Sequence, residues 1–212
     1  MPDAVKPRSQ DSPLRRAQAA ATRLRIAETA AAVFAVRGYE GTRIEDVAAE
    51  ASVAYPTVYK VFRNKPNLLK AAVDLATTGG TEGDVARQAW FRKQLEAPTA
   101  NRQLRLVARN ARRLYDRAGR LLETVRAAAA SDDEIATLWQ DIHDDRLRRS
   151  QITAKRLASK GKLRTTHAQT VRTLWTLTVP ELYVVQTHTA GLTPNQYERW
   201  LADLLVTALL EP

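Results

Sequence analysis

Tyr55, Thr57, Tyr59 and Lys60 crowd into the short segment Tyr55-Pro56-Thr57-Val58-Tyr59-Lys60-Val61-Phe62. On a helix, Val58 and Phe62 stand four apart and share one face, which leaves Tyr55, Pro56, Thr57, Tyr59 and Lys60 on or near the opposite side. Phenol, hydroxyl and ammonium groups displayed in this way suit phosphate oxygens and base edges. An N-terminal helical turn entering a major groove offers its free N–H groups as well.

Such a helix must be held by others. Upstream, Ile44, Val47, Ala48 and Ala51 give a short apolar stripe over Thr42 to about Ala51, and a tight turn follows at Ser52 and Val53. Two short helices around such a turn have the spacing of a helix-turn-helix, although plain corners of helical proteins share it. An earlier helix, Thr22 to Arg37, buries Ile26, Ala30, Val33 and Phe34 and stops at Gly38; a later one runs from Lys65 to about Ala76.

The period stays helical along the rest of the chain, and no stretch alternates convincingly enough for a strand, so the fold class is all-α. Ser/Thr-x-x-Glu/Gln boxes mark helix starts at Thr42 with Glu45, Ser131 with Glu134, Thr166 with Gln169 and Thr193 with Gln196. The expected later helices are 85–95, 100–116, 119–130, 131–159, 166–188 and 193–210. Residues 1–21, with several prolines and arginines, read as a flexible basic arm. Residues 22–64 form the helix-turn-helix unit, 65–80 a linking helix and 81–212 a larger helical body.

Composition narrows the function. The 212 residues are 44% hydrophobic and 26% charged, as in soluble globular proteins. There is no cysteine, which excludes disulfides, a thiol nucleophile and cysteine-ligated metal. Lys plus Arg number 33 against 23 Asp plus Glu, a net +10 that favours nucleic acid or anionic lipid. Residues 1–70 carry 12 basic and 7 acidic side chains and the remainder 21 and 16, so the smaller part is the more basic per residue. His143, His167 and His188 lack metal-ligand spacing, and neither a phosphate loop nor a nucleophile elbow occurs. Asp144 with Arg148 and Asp145 with Arg149 have the i, i+4 spacing of surface ion pairs. An enzyme, a metal site and a cofactor are therefore not expected. The first residues lack the apolar core of a secretory signal and no window approaches the roughly 18 apolar residues of a membrane span, so a cytoplasmic protein is expected. A basic helical protein acting at a membrane surface, or in interactions without sequence-specific DNA binding, is the alternative; it explains the charge but not the helix pair.

The run Arg25 to Leu69 resembles the DNA-binding domain of TetR-family transcriptional regulators. The residues concerned are Arg37-Gly38-Tyr39, Thr42-Arg43-Ile44-Glu45-Asp46-Val47-Ala48, Ser52-Val53, Pro56-Thr57-Val58-Tyr59-Lys60-Val61-Phe62 and Asn64-Lys65-Pro66-Asn67-Leu68-Leu69. The resemblance implies that Thr42 and Arg43 meet the phosphate backbone, that Ala54, Tyr55, Pro56, Thr57 and Lys60 face the major groove, and that Tyr59 and Lys65 hold phosphates. It further implies a homodimer on a palindromic operator of double-stranded DNA and a ligand-responsive regulator, read as a repressor with a small-molecule inducer; the residues do not distinguish a repressor from an activator or show that an inducer exists. Two positions depart from the family pattern. Ser52 stands where glycine is usual in the turn, and Ala54 where Ser or Thr usually caps the recognition helix, a cap worth about 1 kcal/mol. Arg8, Arg15, Arg16 and Arg23 resemble basic extensions that reach a minor groove, with a solubilising tail as the alternative.

In the body, the two last helices carry apolar residues on more than one side, so Trp175, Leu182, Val185, Trp200, Leu204 and Leu205 are expected at a two-chain interface or, failing that, in deep core. Tyr115, Leu122, Trp139, His143 and Trp175 are candidate ligand-lining residues, although such aromatics are more often ordinary core. Arg102, Arg105, Arg109, Arg112, Arg113, Arg117 and Arg120 form a ridge that reads as a solvated face, with an anion site or DNA-flank contact as the alternative.

Overall fold

A computed structural model describes residues 13–80 and 85–211, which are helical apart from turns and one antiparallel bridge between Leu163 and Leu210. The helices are α1 (Pro13–Arg37), α2 (Ile44–Glu50), α3 (Tyr55–Phe62), α4 (Lys65–Thr78), α5 (Ala89–Leu95), α6 (Ala100–Ala128), α7 (Asp133–Ala158), α8 (His167–Leu177), α9 (Pro180–Val184) and α10 (Pro194–Leu209).

Ile26, Ala27, Ala30, Val33 and Phe34 bury one stripe of α1, and Gly38, at φ 71°, turns the chain out of it. The helix starts well before Thr22, so residues 13–21 of the expected flexible arm are helical; the Ala17, Ala19, Ala20, Ala21 run has the best helix propensity available. The earlier part of the arm, with Arg8, lies outside the described residues. α1 and α4 pack on one another, α2 and α3 close the unit, and Val47, Ala48, Val58, Phe62, Leu68 and Leu69 fill it.

α6 is the axis of the molecule and touches α1, α4, α5, α7, α9 and α10. It runs unbroken through the expected gap at residues 117–118. A mid-helix Gly119 costs about 1 kcal/mol, which the burial of Leu114, Ala118, Leu121, Leu122 and Val125 exceeds. The expected helix 166–188 is instead broken at Pro180, which has no N–H to give the carbonyl four residues earlier. A short π-helical turn, Val185–Thr189, follows α9.

Capping follows the expected chemistry with shifts of one residue. Both Thr166–Gln169 and Thr193–Gln196 form complete boxes. α7 is capped by Asp132, which accepts from the Ile135 N–H at 3.1 Å, while Ser131 donates to the Ala128 carbonyl. The Thr42 box does not form, because the Thr42 hydroxyl donates to the Gly38 carbonyl at 2.7 Å and α2 begins after Arg43. Buried residues from Ile26 to Leu209 make one continuous core, so the N-terminal unit and the body are seated on each other.

Candidate nucleic-acid interface and ligand cavity

Val58 and Phe62 anchor α3 at 1% and 3% exposure, and its other side is open: Tyr55 is 42% exposed and Tyr59 51%. Their rings lie 6.4 Å apart, tilted by 31°. Ala54, Pro56, Lys60 and Arg43 are also exposed, and Thr57 is half-buried. The turn before α3 holds Ser52 at φ 52°, in the left-handed region that costs a side chain about 1–2 kcal/mol. Bonds from the Ser52 and Val53 N–H groups to the Ala49 and Ala48 carbonyls hold it there. Ala54 gives α3 no side-chain cap, so its first N–H groups have no side-chain partner. Thr42 does not join this surface. It is 1% exposed with its hydroxyl committed, so its expected phosphate contact is withdrawn. Arg23 is tied down as well: its guanidinium donates to the Val61 carbonyl and lies 4.7 Å from the Phe62 ring centroid.

Behind α3 the unit is clasped to the body. Tyr39 donates to an Asp132 carboxylate oxygen at 2.8 Å, and Asn64, which caps α4, donates to Glu134 at 3.2 Å. Lys65 is half-buried with its ammonium 4.2 Å from the Tyr39 ring centroid, so it serves this clasp as well as any phosphate. The Tyr39 hydrogen bond holds the Asp132 carboxyl below its ordinary range, and burial pushes the Tyr39 phenol well above its own. At the other end of α4, Arg117 donates to the terminal carbonyls of Ala76 and Thr77.

A cavity of about 60 Å³ opens among α5, α6, α7 and α8. Trp90, Phe91, Leu114 and Leu174 belong to its apolar lining, and Gln94, Asn110, Tyr115, Arg146 and Arg149 to its polar one. Of the expected lining residues, Tyr115 alone is on it. Leu122 is core at 2% exposure, while Trp139 and Trp175 pack edge-on against His143 beside it. The break at Pro180 explains part of the polar lining: freed carbonyls at the end of α8 accept from Arg146, at Trp175, and from the Tyr115 hydroxyl, at Thr178. Burial, reinforced by the adjacent Arg146, lowers the His143 pKa, as suits an imidazole whose Nδ1 accepts from Arg146 at 3.2 Å. Sequence reasoning missed Arg146 and Arg149, since nothing local separates them from the exposed arginines on α7.

Residues 26–72 match the family model described as bacterial regulatory proteins, tetR family. The chain carries a TetR-family domain at its N-terminus. No curated protein matches the chain in sequence. Solved structures match nearly its whole length. A protein of Saccharomonospora viridis in complex with choline is 20% identical, with TM-score 0.69 over 91% of this chain and 99% of its own. The transcriptional regulator FadR of Bacillus subtilis, in complex with stearoyl-CoA, is 17% identical, with TM-score 0.67 over 87% and 98%. SmeT in complex with triclosan is 19% identical, with TM-score 0.69 over 90% and 92%. The fold beyond the TetR-family domain is therefore that of these proteins.

The remaining expected residues divide. On α9, the turn after it and α10, Val185 and Trp200 are 51% and 36% exposed and Leu182 and Leu204 are half-buried, as is Trp175 on α8. Leu205 is fully buried in its own chain and is withdrawn from any interface. The arginine ridge is not uniformly solvated: Arg105 pairs with Asp203, Arg112 with Asp116 and Glu198, and Arg117 caps α4, whereas Arg102, Arg109, Arg113 and Arg120 stay exposed. Among the described residues, no group of three or more His, Asp or Glu is placed to hold a metal, and no helix is long and apolar enough to cross a membrane.

Proposed function

We propose that the protein is a ligand-responsive transcriptional repressor that binds a palindromic operator as a homodimer and acts by binding rather than catalysis. The observation that carries this is the outer face of α3. Two exposed phenols and an ammonium stand on a helix whose inner face is fixed by Val58 and Phe62, within a TetR-family domain. Tyr55, Pro56, Thr57 and Lys60 enter the major groove, and Tyr59 and Arg43 hold phosphates. The DNA-binding unit takes in α1 to α4 rather than ending at 64, since α1 starts at Pro13 and Leu68 and Leu69 of α4 fill it, and the residues from 85 on form the helical body; a cytoplasmic site of action at the chromosome goes with this assignment.

Dimerisation is supported by the exposed apolar side chains of Val185 and Trp200 together with half-buried Leu182 and Leu204, which find no full cover within their own chain. Ligand response is supported by the cavity and by the structural relatives bound to choline, triclosan and stearoyl-CoA. Two connections link that cavity to α3. α7 carries Arg146 and Arg149 and begins at Asp132, in the clasp; α6 carries Tyr115 and holds the end of α4 through Arg117. A ligand that prefers an arrangement with the clasp displaced lowers DNA affinity by that preference and no more.

The test is selection of bound duplexes from a random pool, with the molar mass measured by light scattering. The reading predicts an inverted repeat with half-sites about 34–36 Å apart and a mass of two chains. No enrichment, or retention on anionic vesicles in preference to DNA, would refute it.

A further inference from the structure

Arg146 is 5% exposed, and among the described residues it has no carboxylate partner. Its guanidinium donates to the Trp175 carbonyl at 2.6 Å, shares a hydrogen bond with His143 Nδ1 and lies 5.8 Å from the Trp175 ring centroid, all of them neutral neighbours. Next to it on the cavity wall, Arg149 is paired with Asp145 at 2.9 Å. Asp145 is shared with Arg148 as well, and Glu181 acts on His143 without bonding Arg146, so the buried Arg146 guanidinium has no carboxylate of its own. Removing such a charge from water costs several kcal/mol unless an anion meets it, and the guanidinium fork fits a planar carboxylate best.

The rest of the cavity narrows the class. About 60 Å³ is room for roughly four to six waters on the usual measure, and Trp90, Phe91 and Leu114 give it an apolar surface beside the Gln94 and Asn110 amides, which are bonded to each other. A single negative charge with a short apolar tail satisfies both halves; a phosphate ester or a long chain does not. We propose that this cavity is a site for a small organic monocarboxylate, its carboxylate on Arg146 and Arg149 and its apolar end against Trp90, Phe91 and Leu114. This rests on the reading of the body as the effector-binding part.

The full chain is titrated by calorimetry with benzoate, with the neutral isostere benzamide and with the cation benzylamine. Arg146→Gln and Arg146→Lys are compared alongside, with their melting temperatures. Benzoate is expected to bind about tenfold or more tighter than benzamide, and benzylamine not at all. Arg146→Gln erases that preference and Arg146→Lys keeps part of it. Equal binding of benzoate and benzamide, no binding of benzoate, or an unchanged preference in a folded Arg146→Gln overturns the proposal. Should Arg146→Gln not fold, the wild-type Trp indole ¹⁵N signals decide. Benzoate must shift Trp90 and leave Trp200 in place, and an unmoved Trp90 places the site elsewhere and overturns the proposal. Operator affinity with and without benzoate separates the two readings. Binding as described with DNA affinity unchanged leaves the carboxylate site standing and removes benzoate-type ligands as inducers; a DNA response that survives Arg146→Gln does the reverse.

Discussion

The N-terminal unit and the helical body solve opposite problems with the same helices. In the first, the core is apolar almost throughout, and the groups that do chemistry, Tyr55, Tyr59 and Lys60, stand outside it. In the second, the polar groups are inside: Gln94, Gln103, Ser150 and Thr153 are buried between α5, α6 and α7 and are bonded among themselves or to nearby backbone carbonyls, and Arg146 is buried against the Trp175 carbonyl and His143. An exposed group can be removed with little effect on folding, because water replaces its partners. A buried polar group cannot, since its loss strands the partner that faced it. Mutations on α3 should therefore separate affinity from stability, and mutations in the body should not.

The largest effect on stability is expected at Gln103. It is fully buried, donates to the Thr153 carbonyl at 3.1 Å and accepts from Lys160 at 2.6 Å. Gln103→Ala opens a cavity and leaves the Lys160 ammonium one acceptor short, at a cost of about 2–4 kcal/mol. In a scan this is a fall of roughly 5–15 °C in melting temperature.

Tyr39→Phe comes next, because it sits where the two regions meet. Losing one hydrogen bond to the Asp132 carboxylate should cost about 1.5–2 kcal/mol in denaturant unfolding. It should also weaken the influence of any inducer on DNA affinity, whereas a variant with full inducer response would remove the clasp from the mechanism.

Ala54→Ser works in the other direction. It supplies the cap that α3 lacks and should raise stability by about 1 kcal/mol, read as a higher denaturation midpoint.

Acid gives the smallest change. Burial and Arg146 lower the folded His143 pKa from the ordinary 6.5, so the unfolded chain takes up its proton first. The contribution of His143 is complete above pH 6.5 and is lost as the pH falls from there through the lowered value. His143→Gln should flatten the stability profile below pH 6.5 without changing it above.

How much of this was visible in the chain follows the same division. The α3 face was legible because it depends on one helix period: Val58 and Phe62 inward left Tyr55, Tyr59 and Lys60 outward. Thr42 misled because its hydroxyl answers to Gly38, a turn contact that the box pattern does not contain. Pro180 is a signal in the sequence against a continuous helix 166–188, outweighed there by the apolar stripe on both sides of it; the freed carbonyls of α8 and hence the setting of Arg146 follow from it. The cavity itself was out of reach, since Trp90, Tyr115 and Arg146 meet only through the packing of separate helices. The unbroken α6 was hidden for a similar reason, as Gly119 marks a helix end by propensity and is overruled by burial on both sides.

The central claim is that the outer face of α3 holds DNA, and the direct measurement is operator affinity of the double variant Tyr55→Ala, Lys60→Ala beside Arg109→Ala, Arg113→Ala on the exposed ridge of α6. The first pair should lose about a hundredfold or more in affinity with folding stability within about 0.5 kcal/mol of the wild type, while the second pair leaves specific affinity nearly unchanged. Full operator affinity in the α3 variant, or a greater loss in the ridge variant, would contradict the account.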